Sequence, residues 1–406
     1  MGEFNSLFKP GKITILMDGT FGSSGKAKIA SAIAAGADNW TFGCNTFAPQ
    51  AGHWSVLRDG RRYFYQTLNS FAYNPDRYEK LYIGPGSMIE LPSLFAEMEK
   101  NKVPTHKLGI SPCVAILRSE DGAYERGEID FDGKPLHERG EGTLKKGTTA
   151  HGVGACGARK ILRRPEALYA KDIPELKEFM CDVPAEITKR LNHGESGFGE
   201  LAQGYPLSLN HSHFLGYTTS RNVTVSQFLS DMFLPPKYAG PVIINFRTLP
   251  IRINSDKFVS RSTGKFLTWA EIEAGEGYDI IKGDSGPWYP DQKELTWNDV
   301  TKLSGSKEKI IELTSVTKLP RRVATFSKMC LEDAVQANDA GHGVYVTINF
   351  MNYIDDAISG MDGSPDKLTN KCKDWLNESV YPGLGVSGAK LLMLGTGACT
   401  EDYISL

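Results

Sequence analysis

Residues 18–28 read Asp-Gly-Thr-Phe-Gly-Ser-Ser-Gly-Lys-Ala-Lys. Two glycines three positions apart, followed directly by a lysine, have the makings of an anion cradle. Glycine lets backbone N–H groups approach a ligand, a helix N-terminus adds a favourable dipole, and the lysine adds a full charge. Gly22, Gly25 and Lys26 supply these parts, and the anion they suit is a phosphate. The common P-loop also needs glycine at position 20 and Ser or Thr at position 27. This chain has Thr20 and Ala27 there, so the usual magnesium-holding hydroxyl is missing. The loop is P-loop-related without following that pattern.

The loop has to be held by a strand before it and a helix after it. The apolar run 13–18 predicts a buried strand, and 25–36 a helix closed by glycine. The alternation then continues. A strand at 80–84 precedes a helix at 91–101, and an extended run at 114–117 precedes a helical one at 157–164. Residues 225–233 read as helix and 241–246 as strand. A helix at 327–341 with a glycine stop leads to strands at 343–350 and 390–395. This order predicts an α/β fold, with a large, mostly parallel central sheet flanked by helices. Residues 250–310 are polar and read as an irregular insertion. With no repeats and no linker, the expectation is a single domain over 1–406.

The bulk numbers exclude several classes. With 46 basic and 48 acidic residues the net charge is −2, which argues against a nucleic-acid surface. No apolar run reaches the roughly 20 residues that span a bilayer. Seven dispersed cysteines without CxxC spacing predict reduced thiols in a cytoplasm. His211 and His213, two apart and lacking a third ligand, read as surface residues and not as a metal site.

Read in order, the motifs resemble the adenylosuccinate synthetase family. That family's first loop, Gly-x-Gln-Trp-Gly-Asp-Glu-Gly-Lys-Gly-Lys, falls on Asp18 to Lys28. Its Asn-Ala-Gly-His-Thr is Gln50-Ala51-Gly52-His53-Trp54. Its Ile-Gly-x-Gly is Ile83 to Gly86, and its Gly-Thr-Thr-Gly-Arg-Gly-Ile-Gly is Gly147 to Gly154. Arg163-Arg164 stand at the family's Arg-Arg spacing. Glu200 to Gly204 match Glu-Gly-Ala-Gln-Gly, Thr218 to Asn222 match Val-Thr-Ser-Ser-Asn, and Val316 to Arg322 match the arginine-rich aspartate loop. The resemblance covers nearly the whole chain. It implies a two-step condensation, in which a nucleotide γ-phosphate moves to the purine 6-oxygen and the amine of L-aspartate then displaces it.

Residue roles follow from the same resemblance. Ser23, Lys26 and His53 are the catalytic candidates. The triphosphate would be held by Gly22, Ser24, Gly25, Lys26, Ala27, Lys28, Gly52, His53, Asn352, Gly395, Thr396 and Gly397. The monophosphate nucleotide would meet Ser23, Gln50, Ala51, Thr149, Gln203 and Thr219, together with Arg163 from the second subunit of a homodimer. Aspartate would meet Val316, Thr317 and Arg321, whose guanidinium suits a carboxylate. Magnesium would touch Ser23 and the Gly52 carbonyl.

Three departures from the family pattern point one way. Ser23 replaces the family's aspartate, leaving uncharged space beside purine N1 and C2 where a guanine 2-amino group would fit. Leu319 replaces the arginine that contacts a ribose hydroxyl, removing a reason to prefer ribose. Asn349-Phe350-Met351-Asn352 replaces Thr-Lys-Leu-Asp, exchanging the guanine-reading acid for an amide. These departures resemble the phage branch of the family, the N6-succino-2-amino-2′-deoxyadenylate synthases, and imply dGMP, L-aspartate and ATP (or dATP) as substrates, magnesium as cofactor and a host cytoplasm. Ordinary IMP- and GTP-dependent chemistry, or nucleotide binding without catalysis, are the alternatives. The acceptor of the N1 proton stays open; Ser23 holds the base position, and Asp18 is the second candidate.

Overall fold

The apolar run Ile13–Asp18 (β1) is buried along its whole length, as expected for a strand covered on both faces. Its side chains alternate. Ile13, Ile15 and Met17 pack with residues of the helices Val183–Asn192, Val225–Asp231 and Lys328–Asn338. Leu16 packs on the opposite face with Ile29 and Ile33 of the helix Lys26–Gly36 (α1). Period two in the strand thus sends one apolar set to each layer. The computed structural model describes residues 2–136, 150–253, 256–314 and 318–406. Thr149, Val316 and Thr317, assigned above to ligand binding, lie outside the described residues.

The main sheet has nine strands. After β1 these are Phe42–Asn45 (β2), Lys80–Ile83 (β3), Leu108–Ile110 (β4), Gly197–Gly204 (β5), Ala239–Arg247 (β6), Val344–Asn349 (β7), Lys390–Gly395 (β8) and Tyr403–Ser405 (β9). Their spatial order is β9-β8-β7-β6-β1-β5-β2-β3-β4. Every pairing is parallel except that of β8 with β9. The chain first runs outward from β1 to β4. It then returns to insert β5 between β1 and β2 and continues on the other side with β6. The carboxyl end of β1 is therefore the place where the winding reverses, and open α/β sheets bind ligands there. The glycine loop occupies that end.

Most predicted elements form within a few residues of their expected limits, including Ile13–Asp18, Leu91–Asn101 and Lys390–Gly395. The helix placed at 157–164 runs instead over Val153–Ile161, and the extended run 114–117 shrinks to Ala115–Ile116, which pairs with Met88–Ile89 outside the main sheet. The segment 250–310 is more regular than its composition suggests. Lys257–Ser260 and Tyr278–Ile281 form an antiparallel hairpin, and Ile251–Arg252 and Glu294–Leu295 flank Arg322–Ala324 in a small antiparallel sheet.

The central strand β5 escaped the sequence reading because GFGELAQG contains three glycines and little apolar bulk. Packing explains those glycines. A Cβ on Gly197 would lie 2.4 Å from Phe42, one on Gly199 2.7 Å from Phe228, and one on Gly204 1.6 Å from the Thr20 carbonyl oxygen. The last would set a Cβ against a backbone oxygen, which cannot yield. Gly204→Ala is expected to cost more than about 4 kcal/mol, read as loss of soluble protein or a collapsed urea midpoint.

Candidate active site

Asp18 ends β1 and organises the loop. Its carboxylate accepts from the Thr20 amide at 2.8 Å, the Thr20 hydroxyl at 3.0 Å and the Ser24 hydroxyl at 2.6 Å. Burial pushes the Asp18 carboxyl up to about 6 against the opposing pull of these hydrogen bonds. These three hydrogen bonds hold the turn. The turn passes through left-handed conformations at Gly22, Ser23 and Gly25, with φ of +90°, +50° and +76°. Gly25 is the residue before α1, and a Cβ there would stand 2.9 Å from the Asn349 amide. From below, Asn349 Nδ2 donates to the Ser24 and Gly25 carbonyls at 2.9 and 3.1 Å, and Asn245 Nδ2 to the Ser24 hydroxyl at 2.7 Å.

Several residues assigned to the triphosphate turn out to be bound internally. The Ser24 hydroxyl is spent on Asp18 and Asn245. The Ala27 side chain is buried. Lys28 Nζ donates to the carbonyls of Gly397 and Asp402 at 2.7 and 2.6 Å. The Thr396 amide donates to Asp402 and its hydroxyl to the Met361 carbonyl. The side chains of Ser24 and Thr396 thus bond within the protein, and Lys28 joins α1 to the Gly395–Gly397 turn. Asn352 sits half-buried in the single 3₁₀ turn Met351–Tyr353 that follows β7.

The Lys28 clamp carries a pH signature. Burial lowers the amine from 10.5 to about 7. A base with a depressed folded value adds stability that is present above the unfolded value and lost as pH falls through the folded one. The stability of wild type relative to Lys28→Met, measured by urea unfolding, is therefore expected to grow by about 2 kcal/mol from pH 7 to pH 9.

Lys26 and His53 meet over one aromatic ring. Lys26 Nζ lies 5.1 Å from the centre of Phe47, and the His53 ring centroid 4.8 Å from that of Phe47. His53 begins the strand His53–Val56, which pairs with Arg62–Tyr65. Burial, assisted by the Lys26 charge, holds the His53 imidazole well below its usual range, so it is neutral at physiological pH. Its Nε2 is buried without a partner among the described residues. Lys26 has a partner that sequence reasoning left without a role: Glu200 on β5, at 2.5 Å. Glu200 also accepts from the Ser70 amide and hydroxyl at 2.9 and 2.7 Å. A buried carboxylate is stable only with such pairing.

At the end of β5 lies a shallow cleft lined by Thr46, Gln50, Gln203, Arg221 and Asn222 among others. Gln203, in a left-handed conformation at φ +69°, is carried there by the end of β5. Gln50 Nε2 donates to the Thr219 hydroxyl at 3.3 Å, while Gln50 Oε1 has no partner among the described residues. The structure thus brings together Gln50, Gln203 and Thr219 as the sequence reading required. It adds Arg221, whose Nη1 donates to the Thr46 carbonyl and Asp231 at 3.0 Å each, and whose Nη2 is buried and unpartnered among the described residues. Arg221 stands where the quoted motif has serine, a departure that was legible.

Ser23 and Gly52 are exposed at the rim. As magnesium contacts they offer one hydroxyl and one carbonyl, both hard oxygen donors. The neighbouring carboxylate, Asp18, is engaged with its own loop. No cluster of three or more His, Cys, Asp or Glu suited to a metal occurs among the described residues. This donor set fits a magnesium ion carried mainly by nucleotide phosphates. His211 is not a surface residue as expected: it is 8% exposed, and Tyr289 lies 3.0 Å from its Nε2. Arg163 is exposed at φ +54°, just beyond the helix Val153–Ile161. Leu319 is buried, so its side chain offers nothing to a ribose. Arg321 donates its amide to the Glu312 carbonyl at 2.8 Å.

A glycine loop at a sheet switch point, a lysine on the first turn of the following helix, and a neutral histidine beside it define a nucleotide-dependent α/β enzyme of the phosphoryl-transfer type. No protein-family model matches the chain. The adenylosuccinate synthetase of Archaeoglobus fulgidus is 31% identical over 246 residues, covering 60% of this chain and 67% of that one. The chain belongs to the adenylosuccinate synthetase family. It is also 28% identical over 351 residues to the N6-succino-2-amino-2′-deoxyadenylate synthase of Vibrio phage phiVC8, covering 84% of this chain and 86% of the phage protein. A solved structure of the cyanophage S-2L succinoaminodeoxyadenylate synthetase, bound to dGMP and to dATP as an energy donor, matches with a TM-score of 0.72 at 28% identity, over 97% of this chain and 95% of that one.

Proposed function

We propose that the protein is a C–N ligase condensing dGMP with L-aspartate at the expense of ATP or dATP, giving N6-succino-2-amino-2′-deoxyadenylate for 2-aminoadenine DNA. The observation that carries this reading is Ser23, an exposed uncharged residue at the loop position where the family has aspartate. It leaves room for the guanine 2-amino group on a nucleotide seated in the Gln50–Gln203 cleft. The buried Leu319 favours a deoxyribose by withholding a donor. The similarity to the phage enzymes supports both points.

In this reading the γ-phosphoryl leaves ADP and bonds to the purine 6-oxygen as N1 loses its proton. The aspartate amine then attacks C6 and inorganic phosphate departs. Gly22, Gly25, Lys26 and the α1 N-terminus hold the β- and γ-phosphates. His53, kept neutral, donates a hydrogen bond toward charge growing on the transferring group. Magnesium, when bound, would neutralise phosphate charge, with Ser23 and Gly52 as its protein contacts. Gln50, Gln203, Thr219 and Arg221 orient the monophosphate nucleotide; Arg321 binds an aspartate carboxylate. Arg163 acts on the nucleotide of a second subunit in a homodimer, a role supported by its exposure and by exposed Ile161 and Leu162 beside it, at 79% and 61%.

Mass spectrometry of a reaction containing dGMP, aspartate and ATP tests the reading through the succino-nucleotide. Turnover of IMP with GTP but not of dGMP with ATP, or binding of dGMP and ATP without product, would overturn it.

A further inference from the structure

Among the described residues, Arg247 heads the largest fully buried side chains. It is the last residue of β6, and lies directly beneath the glycine loop. Its Nη1 donates to the Ser23 carbonyl at 2.7 Å and to Glu312 Oε2 at 3.3 Å, and its Nη2 donates to Glu312 Oε1. The Phe350 ring lies 4.0 Å from the guanidinium carbon, and the Tyr353 hydroxyl donates to Glu312 Oε1 at 3.0 Å. Glu312 stands at the base of the loop that carries Arg321. Its carbonyl accepts the Arg321 amide, and Leu313 bridges to Pro320. Burial works against the charge on Arg321, Glu312 favours it, and Arg247 opposes it.

One residue thus pairs through its carboxylate with the arginine under the phosphate loop and through its carbonyl with the backbone of the arginine expected to hold aspartate. A buried guanidinium is costly where apolar packing would serve, so its placement calls for a reason other than filling the core. The loop above supplies one. Ser23 holds a left-handed φ of +50°, which a non-glycine residue keeps only when its surroundings impose it. A Cβ on neighbouring Gly22 would meet nothing within 4 Å, so the tip is open on its outer side. The restraint comes from below.

We propose that Arg247 and Glu312 are positioning residues that join the phosphate loop to the aspartate loop. Arg247 fixes the Ser23 carbonyl and hence the turn that presents the Ser23 side chain, and Glu312 fixes Arg247. The inference rests on the dGMP-dependent reading and adds to it two residues that touch no substrate. Loading of Arg321 by a carboxylate alters the field on Glu312, so the two loops are coupled.

The test uses Arg247→Lys, Glu312→Gln and the double variant, with kcat, the aspartate KM and the thermal midpoint measured for each. The expected result is a roughly tenfold fall in kcat in each single variant, no rise in aspartate KM for Glu312→Gln, and a double variant no worse than the poorer single. Rates within twofold of wild type in both single variants overturn the proposal. So do a raised aspartate KM at unchanged kcat, and losses that multiply in the double variant. If wild type prefers IMP with GTP, the dGMP reading fails and the same ratios are read with that pair. If it turns over neither pair, coupling is read as a tenfold loss of ATP affinity in both single variants, and unchanged affinity overturns it.

Discussion

Lys26→Ala abolishes formation of the succino-nucleotide, with an expected loss of roughly 1000-fold or more in kcat. Lys26 is the first residue of α1, where its charge adds to the helix N-terminal field. It pairs with Glu200 at 2.5 Å, both side chains almost fully buried. Removing the lysine alone strands that carboxylate, which costs about 3–5 kcal/mol of stability by analogy with other broken buried pairs. Lost activity could then be mistaken for lost folding. The double variant Lys26→Ala/Glu200→Gln separates the two. A neutral amide can still accept from Ser70, which binds Glu200 through both its amide and its hydroxyl. The urea midpoint should recover most of the loss while product stays undetectable by mass spectrometry. A double variant that regains turnover would show that Lys26 serves the fold and not the phosphoryl group.

Ser23→Asp should shift preference from dGMP toward IMP, changing the ratio of their kcat/KM values by about 100-fold. The physical reason is local. A carboxylate is larger than a hydroxyl and charged, so it crowds a 2-amino group and can accept the N1 proton of a purine that lacks one. The backbone tolerates the exchange, since aspartate is among the residues that enter the left-handed region most readily. The bond from Arg247 is made to the Ser23 carbonyl and survives the side-chain change. Initial rates with each nucleotide at fixed ATP and aspartate decide the matter. An unchanged ratio, or a stronger preference for dGMP, would mean that the residue at position 23 does not read the C2 edge.

Much of the site was legible before any coordinates. The strand ITILMD and the helix from Lys26 follow from side-chain periodicity, and the turn between them from glycines whose positive φ is required. Gln50, Gln203 and Thr219 could be named from motif order alone, and Gln50 does bond to Thr219. What the sequence did not show is where polar side chains make their hydrogen bonds. Ser24, Lys28 and Thr396 carry ligand-binding chemistry as residue types, and each also bonds within the protein. Arg247, just past the predicted strand 241–246, was visible as a charge closing an apolar run, but its two partners were not.

The sequence by itself determined the alternation of strand and helix, the phosphate loop and the uncharged residue at its tip, because backbone propensity, periodicity and glycine conformation act over a few neighbours. Only the tertiary structure decided which charge faces which. The return of β5 between β1 and β2 brings Glu200 to Lys26 across 174 positions, and the end of β6 brings Arg247 to Ser23 across 224. Such pairings are set by the order of strands in the sheet, and their strength by how completely water is excluded from them, neither of which a local stretch of chain encodes.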